Sequence, residues 1–264
     1  MSYTFVWQGG AITELEPLPD GTASSFAQGI NDRGEIVGFG ARGFLWRHGA
    51  VTELELDPRA INNRGQIVGG TGLWQDGAIT FLPDLVGGGP SYANAINERG
   101  QVAGAGFPAS GDLHAVIWQG GNITDLGTLP GDAYSYAWSI NDRGAVVGAG
   151  ERHAILWQNG TITDLGILPG GFYSVATAIN ARGQIVGYGT TASGYGHAVI
   201  WQGGNITDLG TLPGATCPLP SSTFFCSQAL GINDRGQIVG FSFTAAGDVH
   251  AVLWQVARGE DEGD

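Results

Sequence analysis

The chain contains no lysine, one methionine and two cysteines among its 264 residues. All 11 basic residues are arginine, set against 24 acidic ones, for a formal charge of −13. A surface of that sign repels phosphate backbones and anionic lipid, so neither nucleic acid nor a membrane is an expected partner. No apolar run approaches the roughly 20 residues of a spanning helix. No basic and apolar leader precedes the first β-like segment, which begins at Ser2; the chain reads as cytoplasmic unless a leader has been removed. Cys217 and Cys226 sit close together in one insertion. A local disulfide and a pair of free thiols both remain open, because the Cα–Cα distance and the compartment decide between them. Also missing are a nucleophile elbow, metal-ligand spacing and a Gly-rich phosphate cradle between strand and helix. No cofactor and no metal are therefore expected.

What is abundant is glycine, 47 residues of it, together with a repeat. The phrase Ala-Ile-Asn-x-Arg-Gly-Gln-Ile-Val-Gly returns six times, with its isoleucine at Ile30, Ile61, Ile96, Ile140, Ile179 and Ile232. Between copies lies a second phrase that ends in Trp-Gln. Spacings of 31 to 53 residues suit an array whose unit is one small antiparallel sheet. Residues 135–166 show the unit most cleanly: four runs of about five to seven residues, rich in Val, Ile, Thr and aromatics, divided by Asn, Asp and Gly. Asn141-Asp142-Arg143-Gly144 fits a type I turn closed by a left-handed glycine, and Asn159-Gly160 fits a type I′ hairpin.

Lettering the four strands a to d, their order resembles a WD-repeat propeller blade. The expectation is an all-β, six-bladed β-propeller of four-stranded antiparallel blades, one domain over residues 1–258 followed by an acidic disordered tail at 259–264. The chain begins out of phase: Tyr3 to Gln8 and Ala11 to Glu16 look like strands c and d. The N-terminal segment is thus expected to complete the last blade as a clasp. Seven Trp-bearing c strands exist for six blades, so either Tyr3 to Gln8 or His250 to Gln255 falls outside the scheme or pairs with another subunit. A monomer is expected, with a strand-exchanged dimer as the alternative.

The runs His114-Ala-Val-Ile-Trp118, His153-Ala-Ile-Leu-Trp157, His197-Ala-Val-Ile-Trp201 and His250-Ala-Val-Leu-Trp254 resemble the bacterial HAF repeat family. So do Thr124-Asp-Leu-Gly-Thr-Leu-Pro-Gly131 and its cognates at Thr163 and Thr207. The resemblance covers nearly the whole chain. It implies an extracellular repeat protein and carries no general activity.

Residues present in every blade solve a problem that every blade has, whereas a site needs a break in symmetry. The repeated Trp is expected in the core, and the repeated turn Asp and Arg at the surface. The strand-c histidines lie too far apart to share one ion. Each is expected to bond the next blade or the Ser that opens strand a (Ser25, Ser91, Ser135, Ser174, Ser227). Two residues before the isoleucine the six blades differ, with Gln28, Arg59, Asn94, Trp138, Thr177 and Leu230. The loops entering strand a are rich in aromatics, among them Tyr92, Tyr134, Tyr136, Tyr173 and Phe225.

Variable loops on a rigid scaffold are where binding residues concentrate. The first functional reading is a non-catalytic binding propeller for a glycan, a small molecule or a protein. Its candidate ligand-binding residues are Gln28, Asn94, Tyr92, Tyr134, Tyr136, Trp138, Tyr173 and Phe225. The second is an enzyme of lyase, hydrolase or cyclase type at the channel mouth, with Asp57 or Glu55 as acid or base and Arg59 as anion stabiliser.

Overall fold

The computed structural model describes residues 5–8, 10–15, 25–217 and 225–255. Among them every regular element is a strand. Two compact units divide the chain, Met1–Asp125 and Leu126–Asp264. The expected tail at 259–264 lies outside the described residues.

In the first unit, blade 1 consists of Phe26–Ile30, Ile36–Phe39, Gly43–Arg47 and Ala50–Leu54, and blade 2 of Ala60–Ile61, Ile67–Gly69, Gly72–Gln75 and Ala78–Phe81. Blade 3 consists of Ser91–Ile96, Val102–Gly106, His114–Gln119 and Asn122–Gly127, its last strand running across the division. In the second unit, blade 4 is Tyr136–Ile140, Val146–Ala149, Ala154–Gln158 and Thr161–Asp164. Blade 5 is Ser174–Ile179, Ile185–Thr190, Gly196–Gln202 and Asn205–Gly210. Among the described residues blade 6 has three strands, Ser227–Ile232, Gln237–Phe243 and Val249–Gln255. Each sheet is an antiparallel meander in sequence order, and the fold is a six-bladed β-propeller.

Val249–Gln255 takes the regular third place in blade 6, so the surplus Trp-bearing strand is the N-terminal one. Phe5–Gln8 pairs with Ala11–Glu14 as a two-stranded sheet of its own. The fourth strand that this segment is expected to supply is not among the pairings of the described part of blade 6. A hairpin partner two residues away costs far less closure entropy than one at the far end of the chain. Val6 and Leu15 pack with Ile36 and Phe44 of blade 1.

The a–b turn explains why its sequence repeats. Its asparagine accepts, through Oδ1, the N–H groups two and four residues on, as Asn62 does from Arg64 and Gln66, both at 3.0 Å. Glycine closes the turn at positive φ, as Gly144 does at 80°. The Nδ2 of the same asparagine donates across to the equivalent asparagine carbonyl of the next blade. Within the first unit these bonds run from Asn31 to Asn62 and from Asn62 to Asn97. Within the second they run from Asn141 to Asn180 and from Asn180 to Asn233. The Gln four residues on also accepts from that amide and then donates to the Gln ending strand c, as Gln101 does to Gln119 and Gln184 to Gln202. Buried amides of this kind persist only when fully bonded, so the two repeated phrases are one hydrogen-bonded unit.

Trp118, Trp157 and Trp201 are buried, as expected of a repeated aromatic, whereas Trp46, Trp74 and Trp254 are half-buried. The histidines depart from expectation: the Nδ1 atoms of His114, His153 and His197 face Asp125, Asp164 and Asp208 of strand d in their own blades, at 2.8, 2.6 and 2.8 Å. Strands c and d are antiparallel neighbours, which brings the two side chains together on one face. Three of the strand-a serines, Ser135, Ser174 and Ser227, instead bond backbone groups. Ser174 Oγ donates to Gly166 O and accepts from Ala154 N–H, and Ser227 does the same with Gly210 O and Ala198 N–H.

Candidate functional site

Strand a carries the feature that makes a site. In blades 1, 3, 4, 5 and 6 its register with strand b slips by one residue, and the residue left out is Gln28, Asn94, Trp138, Thr177 or Leu230. The variable position is thus a β-bulge, a device that re-aims one side chain and bends the strand. The bend presses strand a over strand b. A Cβ on Gly148 would collide with the carbonyl oxygen of Tyr136, and one on Gly187 with that of Val175. The glycine of Ile-Val-Gly is therefore required by the bulge, with no turn involved.

In blade 4 the bulge and the position two before it are both aromatic. Tyr136 and Trp138 stack with centroids 5.7 Å apart and planes within 6°. Tyr134 meets Tyr136 edge-on at 6.1 Å. Trp138 stays 44% exposed, unlike the core tryptophans. These three rings form one wall of a cavity of about 440 Å³. Ala149 and Gly150 make its floor beside them, and blade 5 supplies Tyr173, Val175, Thr177 and Tyr188. Gln228 of blade 6 completes the lining. All of it belongs to the second unit.

Three of these blade-5 groups are held from behind. Thr190 Oγ1 accepts the N–H groups of Phe172 and Tyr173, at 2.8 and 3.0 Å, fixing the loop that carries Tyr173. Thr177 Oγ1 directs its single O–H between Ala229 O at 2.8 Å and Val186 O at 3.1 Å. Tyr188 leans on Phe225, ring centroids 4.4 Å apart, and Phe225 pairs its backbone with Gly196. The next residue, Cys226, is disulfide-bonded to Cys217 with a Cα–Cα distance of 5.2 Å, which resolves the open question about those two thiols. Burial pushes the phenol of Tyr173 up, Tyr134 raises it further and Tyr188 draws it partly back, while burial pushes Tyr188 up and Tyr173 raises it further. Both are neutral at ordinary pH, and no lining residue is formally charged.

Of the candidates read from sequence, Tyr134, Tyr136, Trp138 and Tyr173 come together here, with Phe225 behind the wall. Gln28, Tyr92 and Asn94 belong to blades 1 and 3 and are not in this lining. Glu55 and Asp57 border a separate open cleft of about 320 Å³ with Arg42, Gly43 and Leu56. Arg59 does not line that cleft; the ion pair at this edge is Arg42 with Glu53, at 3.8 Å and largely exposed. Strand a of blade 2 is cut short to Ala60–Ile61, with the buried Pro58 unable to donate to a ladder.

Sequence reading missed Tyr188, Val175, Thr177 as lining and Gln228. A signal existed. The middle residue of Ser-x-Ala pairs across to the residue after Ile-Val-Gly, as Tyr136 does to Ala149 and Val175 to Tyr188. Blades 4 and 5 therefore each place one aromatic at this level, from opposite strands.

No protein-family model matches the sequence, and no curated protein matches it. Among solved structures the chain is similar to a Mycobacterium tuberculosis puromycin-hydrolyzing peptidase, at 15% identity and a TM-score of 0.48. The match covers 91% of this chain and 49% of that one, so the chain spans about half the length of that structure. A likeness so remote carries no activity across.

Proposed function

We propose that the chain is a non-catalytic binding propeller that takes one small organic ligand in the aromatic cavity of its second unit. The observation that carries this reading is the stacked Tyr136–Trp138 pair, which leaves an indole 44% exposed at the edge of a cavity of about 440 Å³. That volume falls in the range of small-molecule sites, which are concave, mainly apolar and equipped with a few polar groups. Here the polar groups are the tyrosine hydroxyls and the Gln228 amide. The resemblance to HAF repeats agrees with a scaffold whose shared residues are structural.

The test is a thermal-shift and tryptophan-fluorescence screen of neutral glycosides, aromatic metabolites and organic amines against the full chain. A native-state ligand raises the melting temperature with occupancy. One equivalent per chain is expected, with at least tenfold weaker binding in Trp138→Ala. Several equivalents, or binding indifferent to that substitution, would move the site elsewhere. Turnover of a bound compound, lost on Asp57→Asn, would favour the enzyme reading instead.

A further inference from the structure

The lining of the cavity restricts the chemistry of what it holds. Thr177 Oγ1 turns its single O–H toward the backbone carbonyls of Ala229 and Val186, which leaves it only as an acceptor. The rings of Tyr173 and Tyr188 lie together, with centroids 6.2 Å apart. The polar groups of the lining are then the amide of Gln228 and the hydroxyls of its four tyrosines, set among aromatic and aliphatic surface. A polar group buried without partners is penalised, so a ligand that presents apolar surface to the rings suits this site better than one covered in hydroxyls. The lining also has no cationic side chain with which to meet an anion.

Charge around the cavity has one prevailing sign. Asp132 Oδ2 lies against Gly150, where a Cβ would strike it, and it accepts the N–H of Glu151 at 3.1 Å. Glu151 in turn accepts, through Oε1, the N–H of Ala133, next to Tyr134, at 2.8 Å. Two carboxylates thus brace the loop that bears the first ring, with the exposed Arg152 as the neighbouring cation. The whole chain carries −13, so its field concentrates cations. Aromatic faces attract a cation through their quadrupole, most strongly where water is excluded.

Resting on the binding reading above, we infer that the cavity selects an organic ammonium group, most of all a methylated one, held against the faces of Trp138 and Tyr136 with Tyr134 and Tyr173 around it. A methylated ammonium needs few hydrogen bonds, is only weakly hydrated for its charge, and offers methyl surface to the rings. The carboxylates of Asp132 and Glu151 supply attraction from outside the lining.

The test compares choline with its neutral isostere 3,3-dimethylbutan-1-ol by calorimetry and tryptophan fluorescence on the full chain. Choline is expected to bind one to one and at least tenfold more tightly than the alcohol. Trp138→Phe, which keeps a π face, retains most of that preference, and Trp138→Leu loses it while the circular dichroism is unchanged. Equal affinity for the two probes overturns the ammonium assignment and leaves the binding cavity standing. Absence of saturable choline binding at millimolar concentration also overturns it, while the screen of neutral compounds judges the broader reading separately.

Discussion

Trp118 and Trp201 hold the same place in blades 3 and 5 and are equally buried, yet their indole N–H groups differ. Trp118 Nε1 donates to Pro83 O at 2.8 Å, whereas Trp201 Nε1 is buried with no protein acceptor. Both Trp→Phe changes remove the same volume, but only the first strands a carbonyl. Trp118→Phe is expected to destabilise by roughly 1 kcal/mol more than Trp201→Phe in urea unfolding. A second residue-scale expectation concerns Asp208. Burial pulls its carboxyl up, and the bonds from His197 and from Gly210 N–H outweigh that, so its net position is below the usual carboxylate range. A carboxyl depressed in the folded state stabilises above its unfolded value of about 3.9 and loses that contribution as pH falls through the lower folded value. Asp208→Asn should therefore be less stable than the parent at neutral pH, with the gap closing only in solutions more acid than about pH 4. A gap that stayed constant down to full protonation would show that the carboxylate charge contributes nothing. That His197 faces an Asp of its own blade was hard to read from sequence, because His and Asp lie 11 residues apart on either side of a hairpin. The repeated pairing of His-Ala with Thr-Asp-Leu held the clue, and only the c–d register turns it into a contact.

At the scale of the element, the bulge in strand a is decisive. Gly187 and Gly189 lie two residues apart on one strand, facing the same way. A Cβ at Gly187 would run into the carbonyl of Val175, while one at Gly189 would find ordinary contacts of 3.5 Å or more. Gly187→Ala is expected to cost about 1–3 kcal/mol or more, the usual range for overpacking, and Gly189→Ala about 0.5 kcal/mol or less, as read from denaturation midpoints. Equal effects would mean that strand a is not pressed over strand b. The hairpins themselves were legible: Asn159 and Gly160 both have positive φ, 52° and 75°, as a type I′ turn demands. The bulge was legible only as unexplained variation at one position. A period-2 reading of the strand gives no reason for that residue to differ from its neighbours, since a one-residue slip becomes visible only when the partner strand is in place.

For the whole molecule, periodicity in the chain was enough to determine six antiparallel blades, because each copy encodes its own turns and its asparagine amide network. Local chemistry of that kind needs no distant partner, so it can be read one repeat at a time. Burial could not be read in this way. Val239 and Leu253 occupy the repeat positions of Val186 and Ile200, yet they are 52% and 62% exposed where the others are 0% and 5%. What covers a side chain is set by the neighbouring element, and repeat position does not specify it. The cavity follows the same logic. Tyr136 and Trp138 stood out by sequence, but Tyr188 comes from strand b of the next blade, and Phe225 reaches it through a disulfide-held insertion. The sequence by itself determined the meanders, the turns and the acidic, lysine-free surface. Only the tertiary structure decided which aromatic rings converge, because convergence depends on bulge geometry and on the packing of one blade beside another.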